Sequence, residues 1–360
     1  MDKIKLENNN DLLNILMADQ KSQTDDLYKP GNYWLKYSRR IYEEIQKSGL
    51  ENFRHNVNIG KGYADVINKN PFELVKNPWS LKEKIIRKIP NLPIVNRYVT
   101  NICLQWIESL FSQMLSFRSK YYSVLYGSVV KDFASRLKKI DYGIGNPTNV
   151  VNFDGHTIGL SYFKAMLRLS AFEKKINFNK CHVLFELGGG FGSTTDLIIR
   201  LYPSIKKIIY LDIPPNLYIG TQYLKSIYGK ECIKDYLHTR HQTEIRFVEK
   251  SDQLEILAIT PWQLSKLQAQ VDIFYNTESF QEMPLKIIRN YSKYISKLMT
   301  KSKNVCLSFY EHTNVPDTID PNVVKFEVSE QLGIDIKEFS PEFIVDDGSI
   351  LMCGSTSETN

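Results

Sequence analysis

One short segment constrains the fold of this chain more than any other, the stretch HVLFELGGGFGSTTDLIIRLYP at residues 182–203. An apolar run ends at Leu187, four glycines occupy the five positions from Gly188 to Gly192, and a helical pattern follows. A strand, a tight glycine turn and a helix in this order are typical of an open α/β sheet, where ligands bind beyond the carboxyl ends of the strands. Glycine lacks a Cβ and tolerates positive φ, so a ligand can lie directly against this main chain.

The chain after residue 181 repeats this alternation of short apolar runs and helical patterns. Further strands are predicted at 207–213, 244–250, 271–276 and 304–310, and helices at 193–202, 216–228, 261–268 and 284–300. Strands that alternate with helices predict a parallel sheet with helices on both faces, which is an α/β, Rossmann-like fold. Near the C-terminus, two apolar runs flank Asp347 and Gly348 and predict an antiparallel hairpin.

The first half of the chain has a different sequence pattern, with helical periodicity, prolines and many aromatic residues. Residues 1–150 are predicted to form a mainly α-helical region, and residues 151–360 an α/β domain. A stretch rich in glycine, asparagine and proline at 141–159 marks the junction. The helices would either cap the carboxyl edge of the sheet or form a homodimer interface, and the sequence leaves both open.

Composition argues against several classes of function. The 46 basic and 40 acidic residues give a net charge of +6 without a dense basic block, which argues against a nucleic-acid partner. The five cysteines form no CxxC pair, so a disulfide framework or zinc site is not expected, and no other spacing compels a metal site. No run reaches the roughly 18 apolar residues of a membrane span. The polar start lacks a signal core, so we expect a cytoplasmic protein without a membrane partner.

The spacing of the glycines distinguishes between two nucleotide ligands. The dinucleotide fingerprint GxGxxG would require a third glycine at position 193, which is Ser193. S-adenosylmethionine instead carries an ammonium, a sulfonium and a ribose diol, which carboxylates can bind. Glu186 precedes the glycines, and Asp212 ends the next predicted strand, 20 residues after Gly192. This set favours S-adenosylmethionine. A nicotinamide dinucleotide, or solvated acids at strand ends in another α/β fold, are the alternatives.

The stretches ELGGGFG and LDIP resemble the first motif and the acidic second strand end of class I S-adenosylmethionine-dependent methyltransferases. The resemblance covers roughly residues 155–355 and implies a sheet of seven strands, the last of them antiparallel. It also implies an acidic contact to the adenine after the third strand, for which Asp252 is the candidate. The expected cofactor-binding residues are Glu186, Gly188, Gly190, Gly192, Asp212, Ile213, Asp252, Asn276 and Thr277.

A finer resemblance concerns the acceptor. The stretches NTESFQEMP, HTIGLSYFKAML and YWLKYSRRIYEEI resemble a family of predicted sugar O-methyltransferases of bacterial polysaccharide and natural-product clusters. The resemblance implies O-methylation of a sugar or a glycosylated small molecule. Methylation of a phenol or polyketide, a nicotinamide-dependent oxidoreductase, and a non-catalytic scaffold of the same fold are the alternatives.

O-methylation normally requires a base, because alcohol oxygens have pKa values far above 7. The candidates lie at predicted strand ends or in the junction segment, and they are His156, Glu282, Glu311 and His312. Each has a simpler interpretation as a surface residue or as a favourable acid in a first helical turn. The aromatic residues of the N-terminal half would either stack on a sugar or pack in a core.

Overall fold

The computed structural model describes residues 6–66, 123–124, 126–248, 252–311, 317–340 and 349–356. Its strands are β1 (Val150–Phe153), β2 (His156–Gly159), β3 (Val183–Leu187), β4 (Lys207–Leu211), β5 (Ile233–Lys234), β6 (Glu255–Ile259), β7 (Val271–Thr277), β8 (Met299–Tyr310), β9 (Lys337–Phe339) and β10 (Ser349–Ser355). β1 and β2 form a hairpin, and the other strands form one sheet in the order β5-β6-β4-β3-β7-β8-β10-β9.

The sheet confirms the predicted α/β fold. The neighbouring strands β5, β6, β4, β3, β7 and β8 are mutually parallel. β10 runs antiparallel to both β8 and β9. β4 lies next to β3, and β6 lies next to β4 on the same side. β7 then pairs with the opposite side of β3, so the strand order reverses there. The carboxyl ends of β3 and β7 therefore border the switch point, where open α/β sheets bind ligands. The described sheet has eight strands rather than seven, because the two-residue β5 extends one edge.

The third parallel strand is not where the sequence pattern placed it. Residues 244–248 form no strand beyond an isolated bridge from Ile245 to Leu267, and the strand is instead β6. All five residues of β6 are buried, since the strand is covered on both faces. At the C-terminus, β10 pairs with β9 and β8, while the predicted turn at Asp347 and Gly348 lies outside the described residues.

Helices cover both faces of the sheet. They are α1 (Asn10–Ser22), α2 (Asn32–Ser48), α3 (Val57–Gly60), α4 (Leu160–Glu173), α5 (Ser193–Leu201), α6 (Pro214–Tyr228), α7 (Tyr236–Thr239), α8 (Leu285–Leu298) and α9 (Pro321–Leu332), and residues 126–136 are also helical. Short 3₁₀ turns lie at Lys61–Tyr63, Phe178–Lys180, Lys230–Cys232, Pro261–Lys266 and Ser279–Glu282. No helix among the described residues has the length and apolar character to cross a membrane.

The N-terminal residues share one hydrophobic core with the α/β part. Leu13 and Leu16 of α1 belong to the same buried cluster as Leu217 of α6, and the Asn9 backbone N–H donates to the Tyr218 hydroxyl over 2.9 Å. The predicted boundary between residues 150 and 151 falls inside the β1–β2 hairpin. The proposed division into two domains stays a prediction.

A buried arginine holds the N-terminal segment against the α/β part. The Arg54 guanidinium is inaccessible to solvent and donates to Asp65 over 2.6 Å and to Asp141 over 2.7 and 2.9 Å. Asp65 also accepts from the backbone N–H and hydroxyl of Ser161 at the start of α4, and Asp141 accepts from the backbone N–H of Gly159. The two carboxylates therefore balance one cation and fix the entry to α4.

We expect Arg54→Met to lower the free energy of unfolding by about 3–5 kcal/mol, because it leaves two buried carboxylates without their cation. Denaturant unfolding followed by circular dichroism measures this change. Arg39→Met is the matched control, since Arg39 pairs with Glu43 on the surface with its side chain 80% exposed, and it should cost no more than about 0.5 kcal/mol. Equal losses in the two variants would contradict a structural role specific to Arg54.

Candidate active site

A cavity of about 360 Å³ lies at the carboxyl ends of β3, β4 and β7. Its volume falls within the roughly 300–1,000 Å³ that ligand pockets occupy. Its lining includes the glycine turn with the ends of β3 and β4, the segment after β7, residues of α4, and N-terminal residues at 29–37 and 62–64. The cavity therefore sits at the switch point, under a cover of N-terminal residues.

The glycine turn forms one side of the cavity. Gly188 and Gly190 line it with φ values of 75° and 61°, which favour glycine. A Cβ on Gly190 would meet the ring of Tyr63 at 3.4 Å, so that ring lies directly over the turn. Gly192 does not line the cavity. A Cβ there would come within 3.0 Å of Leu224, so Gly192 permits packing against α6, and its role in binding the cofactor stays a prediction.

Two buried carboxyl groups face the cavity beside this turn. Asp212 accepts hydrogen bonds from the backbone N–H groups of Gly190 and Ile213 over 2.8 and 2.7 Å, and Glu186 accepts one from the Thr195 hydroxyl. Burial raises the pKa of each carboxyl to about 7, although these hydrogen bonds act in the opposite direction. Glu186, Asp212 and Ile213 thus lie where the sequence predicted them, in one cavity.

Two of the predicted cofactor-binding residues, Asn276 and Thr277, lie at the end of β7, and one of them lines the cavity. Thr277 lines the cavity. Asn276 is inaccessible to solvent, and its amide donates to the Leu187 carbonyl over 2.9 Å and to the Ser279 hydroxyl over 2.6 Å, while it accepts from the Phe280 N–H. Asn276 therefore shapes the loop after β7, and its contact with the cofactor stays a prediction.

Asp252 lies on the other edge of the sheet. The residue is exposed and precedes β6, so it stands at the amino end of that strand, away from the cavity. Its prediction rested on a strand at 244–250, which the structure does not form, so its placement does not support a contact with the adenine. Pro261, which follows the true carboxyl end of β6, lines the cavity instead.

Of the four candidate bases, the structure places Glu282 in the cavity. His156 pairs with Phe153 in the β1–β2 hairpin, and Glu311 is exposed after β8; neither lines the cavity, so their placement does not support a catalytic role. His312 lies outside the described residues. The Glu282 carboxylate accepts a hydrogen bond from the Trp34 indole N–H over 2.6 Å, and burial raises its pKa to about 7.

An aromatic wall, formed by Tyr33, Trp34 and Tyr37 of α2, closes the cavity opposite the sheet. The rings of Tyr33 and Tyr37 are stacked with centroids 6.0 Å apart, and Trp34 meets both edge to face. The sequence offered these rings only as candidates for stacking or packing. Their spacing at i, i+1 and i+4 places them on one side of a helix, which is compatible with either use.

Sequence reasoning missed several residues of the cavity. Arg168 of α4 forms an ion pair with Glu278, and Tyr63 donates from its hydroxyl to Asn216 over 2.9 Å. A signal for Arg168 exists, because Ser161, Lys164 and Arg168 recur at helical spacing and all line the cavity. No local pattern identifies Tyr63, which reaches the glycine turn from the N-terminal segment.

Glu278, the partner of Arg168 in this ion pair, has a strained backbone conformation. Glu278 follows β7 with φ at 68°, an uncommon conformation for a residue other than glycine. Its N–H donates to the Ser308 carbonyl over 2.7 Å, which fixes the turn beside β8. Residues in such conformations concentrate at ligand sites, because the surrounding structure must stabilise them.

Within the described ranges, no group of three histidine, cysteine or carboxylate side chains is arranged to hold a metal.

Comparisons with known proteins give similarity only at the level of three-dimensional structure. No family model matches the chain, and no curated protein matches it. Among solved structures, the chain is similar to the pyocyanin biosynthetic protein PhzM (12% identity, 53% of this chain, 58% of that chain, TM-score 0.33). It is also similar to the S-adenosylmethionine-dependent methyltransferase SibL (12% identity, 54% of this chain, 56% of that chain, TM-score 0.36). A third similar structure is human N-acetylserotonin methyltransferase (10% identity, 54% of this chain, 55% of that chain, TM-score 0.33). The chain thus spans less than two thirds of each.

The buried Glu186 carboxyl gives a prediction about stability. Its pKa is raised to about 7 in the fold from an ordinary value of 4.5, so neutral Glu186 stabilises the fold at low pH and this contribution is lost as the pH rises through about 7. Glu186→Gln keeps an acceptor for Thr195 and never ionises. We expect its unfolding free energy to rise relative to wild type between about pH 4.5 and 7.

Denaturant unfolding of cofactor-free protein at several pH values measures this difference. Glu7→Gln, at an exposed position, controls for the loss of a negative charge. A difference between Glu186→Gln and wild type that stays constant from pH 4.5 to 7.5 would show that Glu186 ionises normally in the fold.

Proposed function

We propose that this chain, whose fold is that of class I methyltransferases, is an S-adenosylmethionine-dependent O-methyltransferase that acts on a sugar or glycosylated small molecule. One observation carries the proposal: Glu186 and Asp212 meet in a single cavity on either side of the bare glycine turn. When bound there, S-adenosylmethionine supplies an electrophilic methyl group. The chain has to hold the acceptor in line with that group, exclude water and remove a proton.

The residues around the turn fit this cofactor. Asp212 retains acceptor capacity for a ribose diol beyond its two backbone hydrogen bonds, and Glu186 offers a negative charge to the cationic methionine end. The missing Cβ at Gly190 leaves room for a ligand beneath Tyr63. Binding a cation beside Glu186 favours the ionised carboxylate and repays part of the cost of its burial.

A nicotinamide dinucleotide fits less well. A pyrophosphate on the glycine turn would place two negative charges beside Glu186 and Asp212, both of which line the same cavity. Like charges in a buried site repel each other strongly. In addition, the fingerprint glycine is replaced by Ser193. An oxidoreductase is therefore the weaker candidate.

The acceptor side of the cavity combines rings with charged groups, which supports a polyhydroxylated acceptor. The rings of Tyr33, Trp34 and Tyr37 offer apolar faces, and Glu278, Glu282, Arg168 and Tyr310 offer donors and acceptors. These polar groups already have partners in the protein, as Arg168 has in Glu278, and a flat phenol with its single hydroxyl would add few hydrogen bonds to them. Sugar hydroxyls can pair with them. The phenol or polyketide alternative therefore ranks second.

The partner and location predictions belong to this proposal as well. We expect a small-molecule acceptor, no nucleic-acid partner and a cytoplasmic enzyme, with a homodimer as one arrangement of the N-terminal helices. The non-catalytic alternative predicts tight cofactor binding without product from any acceptor.

We expect Asp212→Ala to weaken S-adenosylhomocysteine binding by about 1–3 kcal/mol, the scale of hydrogen bonds to a charged group. Titration calorimetry measures the affinity, with NAD as the competing ligand. Asp252→Ala is the matched control, because it removes an exposed aspartate at the opposite edge of the sheet and should leave the affinity unchanged. Tight NAD binding without S-adenosylhomocysteine binding would overturn the proposed cofactor.

Tyr33→Ala should raise KM for the acceptor roughly tenfold, because a stacked ring contributes on the order of 1.4 kcal/mol. The acceptor is first found by transfer of a radiolabelled methyl group to a panel of sugar nucleotides, glycosides and phenols. Leu35→Ala alters the neighbouring exposed residue of the same helix, 54% accessible, and should leave KM unchanged. Transfer to phenols alone would contradict the sugar class while retaining the methyltransferase.

A further inference from the structure

We propose that Glu282 is the general base of the reaction and that Trp34, from the N-terminal helix α2, is the residue that positions it. This inference rests on the proposed function. In the step, the acceptor hydroxyl proton moves to the Glu282 carboxylate as the oxygen bonds to the methyl carbon. The carbon–sulfur bond breaks, its electron pair stays on sulfur, and the proton later passes to solvent.

The geometry leaves one oxygen of Glu282 available. Oε2 accepts from the Trp34 indole N–H over 2.6 Å. Among the residues the structure describes, no hydrogen bond reaches Oε1 and no cationic side chain forms an ion pair with the carboxylate. Trp34 therefore orients the carboxylate through one oxygen, and the Glu282 side chain belongs to the lining of the cavity.

The start of α2 is packed against the same loop. A Cβ on Gly31 would come within 3.4 Å of the Glu282 carbonyl oxygen and 3.5 Å of the Pro284 ring. Glu282 itself ends the 3₁₀ turn Ser279–Glu282 that follows β7. The contact thus joins α2 to the carboxyl edge of the sheet at the position of the base.

The other acids of the cavity are already engaged. Glu278 is paired with Arg168, Asp212 accepts two backbone hydrogen bonds, and Glu186 accepts from Thr195 beside the glycine turn. A base is most effective when it is not neutralised by a cation and lies within reach of the substrate proton. Glu282 lines the cavity and pairs with no cation among the described residues, whereas Glu278 is neutralised by Arg168.

The groups facing Glu282 keep its proton affinity high. Glu278 and Asp212 are the nearby acids, and Tyr33 and Tyr310 are the titratable rings whose own pKa values are raised. Burial first, and then these two carboxylates, raise the pKa of Glu282 to about 7, while the Trp34 N–H lowers it. A base with a pKa close to the working pH is both available and strong enough to accept a proton.

A first experiment needs no acceptor. The indole N–H of Trp34 is followed by ¹⁵N NMR against pH in the full chain, with the Trp262 indole, bonded to the Tyr236 hydroxyl, as internal reference. We expect the Trp34 signal to titrate near pH 7 in wild type and to lose this titration in Glu282→Gln. A Trp34 signal that does not titrate in wild type would overturn the assigned contact.

A second experiment uses the acceptor found by methyl transfer. Glu282→Gln should lower kcat by about 10²- to 10⁴-fold, the range of general base catalysis, and leave S-adenosylhomocysteine affinity within about threefold. Trp34→Phe should lower kcat less and move the acidic limb of the pH–rate profile to higher pH, because the N–H that lowers the pKa of Glu282 is gone. Trp262→Phe is the control and should change neither quantity.

The outcomes separate this inference from the proposed function. If Glu282→Gln keeps kcat within about threefold of wild type, Glu282 is not the base, while methyl transfer by wild type still supports the proposed function. If Trp34→Phe lowers kcat without moving the pH profile, Trp34 has only a structural role. If wild type fails to bind S-adenosylhomocysteine, the proposed function fails, and the NMR titration still tests the contact.

Discussion

The buried guanidinium of Arg54 connects the parts of the chain that the site requires. It donates hydrogen bonds to both Asp65 and Asp141, and its charge lies 4.9 Å from the centroid of the Phe191 ring in the glycine turn. The two carboxylates in turn hold the start of α4 through Ser161 and Gly159. One desolvated cation therefore sets the N-terminal segment, the junction and the glycine turn in fixed relation. Removing Arg54 would leave two buried carboxylates without their cation, so this contact stabilises the three segments together.

This coupling explains how residues far apart in sequence form one cavity. The sheet supplies the glycine turn and the acids at strand ends, all from residues after 181. The N-terminal segment supplies Tyr63 over the turn and the aromatic wall on the acceptor side. Enclosure between the two removes water from Glu186, Asp212 and Glu282, and burial is the leading cause of the raised pKa of each. The electrostatics of the site thus depend on the N-terminal cover.

The sequence alone predicted the parts of the cavity that a local pattern identifies. The glycine turn, Asp212 at the next strand end and Glu282 after the fourth strand could be predicted, because each is tied to a strand boundary. The third strand was misplaced since EIRFVEK at 244–250 alternates apolar and charged residues, as a half-exposed strand would. The true strand β6, EILAI, reads as a nearly continuous apolar run, which is the pattern of a strand buried on both faces. Asp252 was misplaced as a consequence, and Tyr63 depends on tertiary contacts that no local pattern encodes.

The distribution of roles between the two halves of the chain has a chemical logic. Cofactor binding needs main-chain approach and fixed acids, which rigid strand ends provide. In the proposed function, acceptor recognition falls to the rings of helix α2, which line the cavity opposite the glycine turn. The Trp34–Glu282 hydrogen bond joins the two, because the proposed base lies on the sheet side and its hydrogen-bond donor on the helix side. A change of acceptor through α2 would therefore also alter the acid–base chemistry, so specificity and catalysis are coupled through a single contact.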